Sequence, residues 1–172
     1  DLYAGKWKKF CKDNYISYDS FYRTTDPTHK KLAQKLWLEC DKNGDIYKKK
    51  YSGLYCVGCE SFKTEKDLID GKCPDHNIEP EEISEENYFF RLSKYTQNIL
   101  EYLDANKSFV EPSSKQHALK RFIEQGLEDI SISRYKKTLP WGVDVPGDPE
   151  QVFYVWFDAL TNYLFAVGFY TD

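Results

Sequence analysis

The sequence predicts a mixed α/β fold carrying a small cysteine–histidine knuckle, and three observations lead there. Apolar residues recur at helical spacing in some segments, while others alternate and are rich in β-branched and aromatic side chains, the two kinds interleaved along the chain. The stretch YCVGCESFKTEKDLIDGKCPDH, residues 55–76, holds three of the five cysteines and one of the three histidines. Aromatic residues make up 17% of the chain, with 14 Tyr and 11 Phe, which is enough large apolar surface to exclude a disordered segment. At 172 residues the chain can bury one substantial core or two small ones.

Charge and hydropathy narrow the class further. Charged residues, 30% of the total, suit a water-soluble protein. The most apolar run, YLFAVGFY at 163–170, falls well short of the roughly 18 apolar residues that a membrane span needs. Residues 1–50 carry a net +5 and residues 51–172 a net −9, giving −4 overall. A general nucleic-acid binder is usually basic throughout, so an RNA partner would be met locally, and a solvated lysine-rich face is the plainer reading of the basic first fifty residues. The start, DLYAGKWKKF, has no cleavable apolar region, and the chain contains no methionine. An internal piece of a longer protein is expected.

In chain order, AGKWKKFCKDN predicts a short helix with Trp7, Phe10 and Cys11 on one side, ending at Asp13-Asn14. ISYDSFYRTT alternates and predicts a strand. DPTHKKLAQKLWLECDKNGD has every helix signal: Asp26 to cap, Pro27 in the first turn, a stripe of Leu32, Ala33, Leu36, Trp37 and Cys40, and Gly44 as the stop. Cys40, and by the same reasoning Cys11, is most simply a core thiol. IYKKKYSGLYC predicts two short strands turning at Ser52-Gly53, and the acidic NIEPEEISEEN a surface connector. Leu92, Tyr95, Ile99 and Leu103 define one amphipathic helix; Leu119, Phe122, Ile123 and Leu127 define another. DISISR and VFYVWF read as strands separated by a Pro- and Gly-rich loop, with Asp158 as cap of a final helix, ALTNYLFAVG.

The cluster has the form Cys56-x2-Cys59-x13-Cys73-x2-His76. Two pairs of ligands, each pair two residues apart, allow two tight turns to present thiolates and an imidazole to one tetrahedral Zn²⁺. Gly58 suits such a turn. A dithiol redox site would use Cys56 and Cys59 but leave Cys73 and His76 without a role. Disulfides belong to secreted chains, for which no signal is present, and the cysteine count is odd. Four protein ligands leave no open coordination position, so the metal is expected to be structural.

The segments RTTDPTHKK, GLYCVGCESFKTEKDLIDGKCPDH, ENYFFRLSKY, DISISR…WGVDVPGD and VFYVWFDALTNYL occur in an order that resembles the methionyl-tRNA synthetases, and the likeness spans nearly the whole chain. It implies part of a Rossmann-type class I synthetase catalytic domain, interrupted by an inserted zinc-knuckle connective-peptide domain. It also implies an enzyme that activates methionine with ATP and Mg²⁺ and transfers it to tRNA(Met), in the cytoplasm or in an organelle. The two ATP-binding signatures of that family, of the His-Ile-Gly-His and Lys-Met-Ser-Lys-Ser types, do not occur here, nor does its Asp-Glu-His-Gly stretch. The chain is therefore expected to be the middle of such an enzyme and inactive alone. Residues 1–45 would end the first catalytic half, 46–128 form the connective peptide, and 129–172 begin the second half.

Carried over by position, the resemblance makes Trp156, Ala159, Leu160 and Tyr163 part of the methionine side-chain pocket and Arg134 an active-site arginine. An aromatic wall with small and apolar residues suits an unbranched, polarizable thioether. Many relatives have proline at the position of Leu160, which puts the shape of the pocket in question. Spacing alone gives Trp156 and Tyr163 the plainer role of core packing, and Arg134 that of a surface ion pair. Two other readings stand beside the synthetase: a free-standing zinc-stabilised module that binds RNA or protein, and a relative with a different amino acid in the pocket.

Overall fold

The computed structural model describes residues 2–59 and 61–169, except for the side chain of Ser61; the outermost residues of the first and last expected segments lie outside this description. Helix α1 (Leu2–Asp13) and α2 (Pro27–Lys42) are followed by β1 (Ile46–Cys56) and β2 (Ser61–Lys63). Next come β3 (Glu81–Phe90), α3 (Thr96–Ala105) and α4 (Ser113–Glu124). The short strands β4 (Ile130–Ser131), β5 (Ser133–Tyr135) and β6 (Asp144–Val145), then β7 (Asp148–Phe153) and α5 (Val155–Ala166), complete the order. One sheet has strand order β2-β1-β3-β4 and the other β5-β7-β6, with every pairing of these strands antiparallel. No helix among the described residues is long and apolar enough to cross a membrane.

Helix α2 forms as its signals predict. The Asp26 side chain accepts from the Thr28 N–H, Pro27 stands in the first turn, and Gly44 leaves the helix with φ +71°, a conformation cheap only without a Cβ. Its apolar stripe buries Leu32, Ala33 and Trp37. The Trp37 indole stacks on Phe153 at 4.8 Å and meets Phe157 and Tyr88 edge-on, so α2 is fastened to both β7 and α5. Ile46, Ile132, Val143, Val145 and Phe165 complete the same core. Just past α2, buried Asp45 accepts from Lys94 Nζ at 2.5 Å and the Tyr95 hydroxyl at 2.7 Å, tying the helix end to the segment that enters α3.

Several local expectations are corrected by tertiary pairing. Residues 16–25 form no strand. β1 runs unbroken through Ser52-Gly53, because β3 supplies a ladder partner along it, with Gly53 opposite Ile83. The acidic segment expected as a connector is thus largely that partner strand; Glu81, Glu82 and Glu86 are exposed, while Glu85 is half-buried on the face of buried Asn87 and Phe89. The hairpin turn lies instead at the cysteine pair, between Cys56 and Ser61. DISISR splits around buried Ile132: Ser131 pairs with β3 in one sheet and Ser133 with β7 in the other. The Ser133 hydroxyl accepts from the Tyr88 N–H and donates to Gln151, and Gln151 donates to the Glu86 carbonyl, so a buried polar chain joins the sheets.

VFYVWF is not one strand either. β7 ends at Phe153 and α5 begins at Val155, with Tyr154 as its N-cap residue; Asp158 lies inside the first turn and is not the cap. In α4 the buried residues are Gln116 and Ile123, whereas Leu119 and Phe122 are exposed. Gln116 replaces them as the inward anchor: its amide donates to the carbonyls of Leu103 and Asn106 and its oxygen accepts from the Val110 N–H. No residue of helix α1 is fully buried, and half-buried Cys11 stands outside the core cluster, so it is no core thiol. Cys40 does pack against the core, and burial, with Asp45 and Glu39 nearby, pushes its thiol up to about 11.

Candidate functional site

The structure brings Cys56, Cys59, Cys73 and His76 together, their ligand atoms all within 4.8 Å of one another. The β1–β2 turn presents Cys56 and Cys59. The second turn presents Cys73 and His76 and is held by the Cys73 N–H on the Ile78 carbonyl and the Asn77 N–H on the Cys73 carbonyl. The Cys59 and Cys73 sulfurs are 3.4 Å apart, and His76 Nδ1 lies 3.3 Å from Cys59 and 3.9 Å from Cys56 and Cys73. A tetrahedral zinc with Zn–S bonds of about 2.3 Å separates its ligand atoms by about 3.7 Å. The four atoms therefore already stand near the corners of a zinc tetrahedron, and no disulfide joins the cysteines.

The thiols of the cluster are shifted in opposite directions. Hydrogen bonding to His76 holds the Cys73 thiol down at about 6, while burial, and then hydrogen bonds to Cys73 and Cys56, push Cys59 up to about 11. Lys63 adds a positive charge beside the site: its ammonium is held by Cys59, which raises its own pKa, and lies 3.8 Å from Asp75. Sequence spacing pointed to the four clustered residues but not to Lys63, which strand register alone carries to them.

Arg134 is buried, against the expectation of a surface ion pair from spacing alone. Its Nη1 donates to the Ser131 hydroxyl at 2.6 Å and the Ser133 carbonyl at 2.7 Å, and its guanidinium lies 3.7 Å from the centre of the Tyr154 ring, at the start of α5. A cavity of about 230 Å³ opens beside it, with walls that include Tyr55, Phe62, Glu85 and Leu139.

On α5, Trp156, Ala159, Leu160 and Tyr163 follow helical spacing on one face. Trp156 is 55%, Leu160 53% and Tyr163 75% exposed, and Ala159 is half-buried. The opposite face, Phe157, Thr161 and Phe165, enters the core. The plainer expectation, that Trp156 and Tyr163 are core residues, does not hold. A row of large apolar side chains is left facing solvent.

Sequence reasoning missed His29. It is fully buried in α2, with Nε2 2.5 Å from Asp158 Oδ1. Its position extends the stripe of Leu32, Ala33, Leu36 and Trp37, which was a signal that it faces inward.

Comparison with known proteins agrees with this arrangement. The family described as tRNA synthetases class I (M) matches residues 1–83 and 77–172. A methionine–tRNA ligase of Caldanaerobacter subterraneus is 47% identical over 96% of this chain, and the chloroplastic/mitochondrial methionine–tRNA ligase of Arabidopsis thaliana 43% over 97%. The chain spans only 26% and 27% of those two proteins. The structure of Mycobacterium tuberculosis methionyl-tRNA synthetase in complex with methionyl-adenylate superposes with a TM-score of 0.83 at 40% identity, over 95% of this chain and 33% of that one. The ordered motifs, the α/β architecture and these likenesses together place the chain in the methionyl-tRNA synthetase family of class I tRNA synthetases.

Proposed function

We propose that this chain is the central segment of a methionine–tRNA ligase, contributing one wall of the amino-acid pocket and a zinc-stabilised insertion. The observation that carries the reading is the exposed apolar face of α5. A folded protein leaves a tryptophan, a leucine and a tyrosine side by side in solvent chiefly where something binds. In this reading Trp156 and Tyr163 flank the thioether of methionine, Ala159 leaves room between them, and Leu160 closes the apolar surface.

Arg134 supplies the cationic side of the same region. Its fixed hydrogen bonds to Ser131 and Ser133 and its seat on Tyr154 hold the guanidinium in place before any substrate arrives, so charge is presented without reorganisation. Cys56, Cys59, Cys73 and His76 would hold one zinc ion, which supplies a structural cross-link between the two knuckle turns. Residues 1–45 and 129–172 would belong to the catalytic domain and 46–128 to the insertion. ATP with Mg²⁺ and tRNA(Met) would be met mainly by parts of the ligase outside this segment.

The test is methionine-dependent ATP–pyrophosphate exchange, measured on the full-length gene product that contains this segment and on the 172 residues alone. Exchange is expected from the former and not from the latter. Exchange by the 172 residues alone would overturn the segment reading. No methionine-dependent exchange by the full-length product, together with binding of RNA by the isolated chain, would establish the free-standing module in its place.

A further inference from the structure

Helix α5 presents two faces with different tasks. One carries Trp156, Ala159, Leu160 and Tyr163 outward; the other carries Phe157, Asp158, Thr161 and Phe165 inward, toward α2. Apolar packing such as Phe157 on Trp37 is favourable over a range of helix rotations and slides, because it depends on area and not on direction. A hydrogen bond between buried, oppositely polar groups is directional. The link between His29 Nε2 and Asp158 Oδ1, at 2.5 Å, is such a bond. The His29 ring is fully buried, its other nitrogen has no hydrogen-bond partner among the described residues, and Tyr22 and Phe165 pack edge-on against it. The ring is thus held by packing on its sides and addressed to one acceptor.

We propose that His29 is a positioning residue for the amino-acid pocket: through Asp158 it sets the rotation of α5 and so the direction in which Trp156 and Tyr163 project. The inference rests on the reading of that face as the methionine pocket. Asp158 lies in the same turn as Trp156 and Ala159, so a rotation that breaks the bond moves both of them. α2 is far from α5 in sequence, and the bond converts the fixed seat of α2 on the core into a fixed angle for the helix that meets the substrate.

The experiment uses the full-length synthetase with His29→Phe, which keeps a ring but removes the donor, and His29→Gln, whose amide nitrogen can reach the place of Nε2. Asp158→Leu breaks the same bond from the other side, and Trp156→Ala is the pocket control. Steady-state exchange gives KM for methionine and for ATP, and thermal melting is followed in parallel. His29→Phe and Asp158→Leu should raise KM for methionine on the order of ten- to a hundredfold, the scale expected when reacting groups are displaced by about an ångström. KM for ATP should stay within about twofold, since positioning here acts on one substrate only. His29→Gln should recover most of the loss. A normal KM for methionine in a folded His29→Phe or Asp158→Leu enzyme overturns the inference, whatever the melting temperature. So does a His29→Gln enzyme as impaired as His29→Phe. If neither bond-breaking variant folds, the pair is a folding element and the positioning role is lost. If Trp156→Ala leaves KM for methionine unchanged, the pocket reading itself fails; if it raises KM while His29→Phe does not, only the present inference falls.

Discussion

A Cβ atom on Gly58 would lie 2.5 Å from Cδ2 of His76, so the first knuckle turn and the imidazole of the second are packed as closely as a bare backbone permits. Gly58→Ala must push the ring away from the three sulfurs. Displacement of a first ligand should weaken metal binding at least as much as loss of a group that orients one, roughly 10- to 100-fold. Competition of the 172-residue chain with a chromogenic chelator measures it. Wild-type zinc affinity in Gly58→Ala would mean that His76 is not a ligand.

Metal removal should act locally. The chain is expected to bind one equivalent of zinc, and chelation or Cys59→Ser to loosen residues 56–78. Helices α3 and α4 should persist, because they pack on each other through Leu103, Gln116 and Ile123, away from the knuckle. Hydrogen exchange followed by peptide would show protection lost across the two turns and kept across 96–124. Substoichiometric zinc in freshly prepared protein never exposed to chelator, or a Cys56–Cys59 disulfide, contradicts this account.

Trp156→Ala separates pocket from core. Because the indole is more exposed than buried, its removal should change stability by no more than about 0.5 kcal/mol, as for other surface positions. In the full-length enzyme it should nevertheless cost about 2 kcal/mol of methionine binding, a rise in KM of roughly 30-fold, through lost apolar contact. Tyr163→Phe, which deletes only a hydroxyl, should cost distinctly less. A lower melting temperature with unchanged KM would return Trp156 to a packing role.

Asp45 should shape the acid limb of stability. Its hydrogen bond from Lys94 holds the carboxyl below its ordinary value of 3.8, with Tyr95 assisting and burial opposing. A depressed folded pKa stabilises the native state fully above the unfolded value, and that contribution is lost as pH falls through the folded value. Asp45→Asn should therefore lower the melting temperature at neutral pH and lose less of it than the wild type as pH falls through and below 3.8. Parallel melting curves for the two proteins across that range would show that the Asp45–Lys94 bond contributes nothing.

What could be read from the residues was whatever is decided within a few positions of itself. Helix α2 is written locally, since Asp26, Pro27 and the 3.6-residue stripe act within one helix. The Cys3His cluster is local in the same sense, because two turns of fixed span present its four side chains. The order of motifs likewise sufficed to indicate the family, since it does not depend on how the segments pack.

Only the tertiary structure decided the rest, because pairing partners and helix faces are chosen by what lies opposite. Ser52-Gly53 carries a turn signal that β3 overrides by offering a continuous ladder, and the repelling acidic run becomes a strand for the same reason. The residues of DISISR alternate as one strand, yet Ile132 is drawn into the core and its neighbours fall to different sheets. On α5, which is apolar nearly all round, composition cannot say which side is buried. Trp37, Phe153 and His29 claim Phe157, Phe165 and Asp158, and Trp156 and Tyr163 are turned outward by default. The sequence by itself determined the helix stripe, the spacing of the Cys3His cluster and the family; long-range packing and directional hydrogen bonds, which join residues more than a hundred positions apart, determined which face of α5 stays exposed.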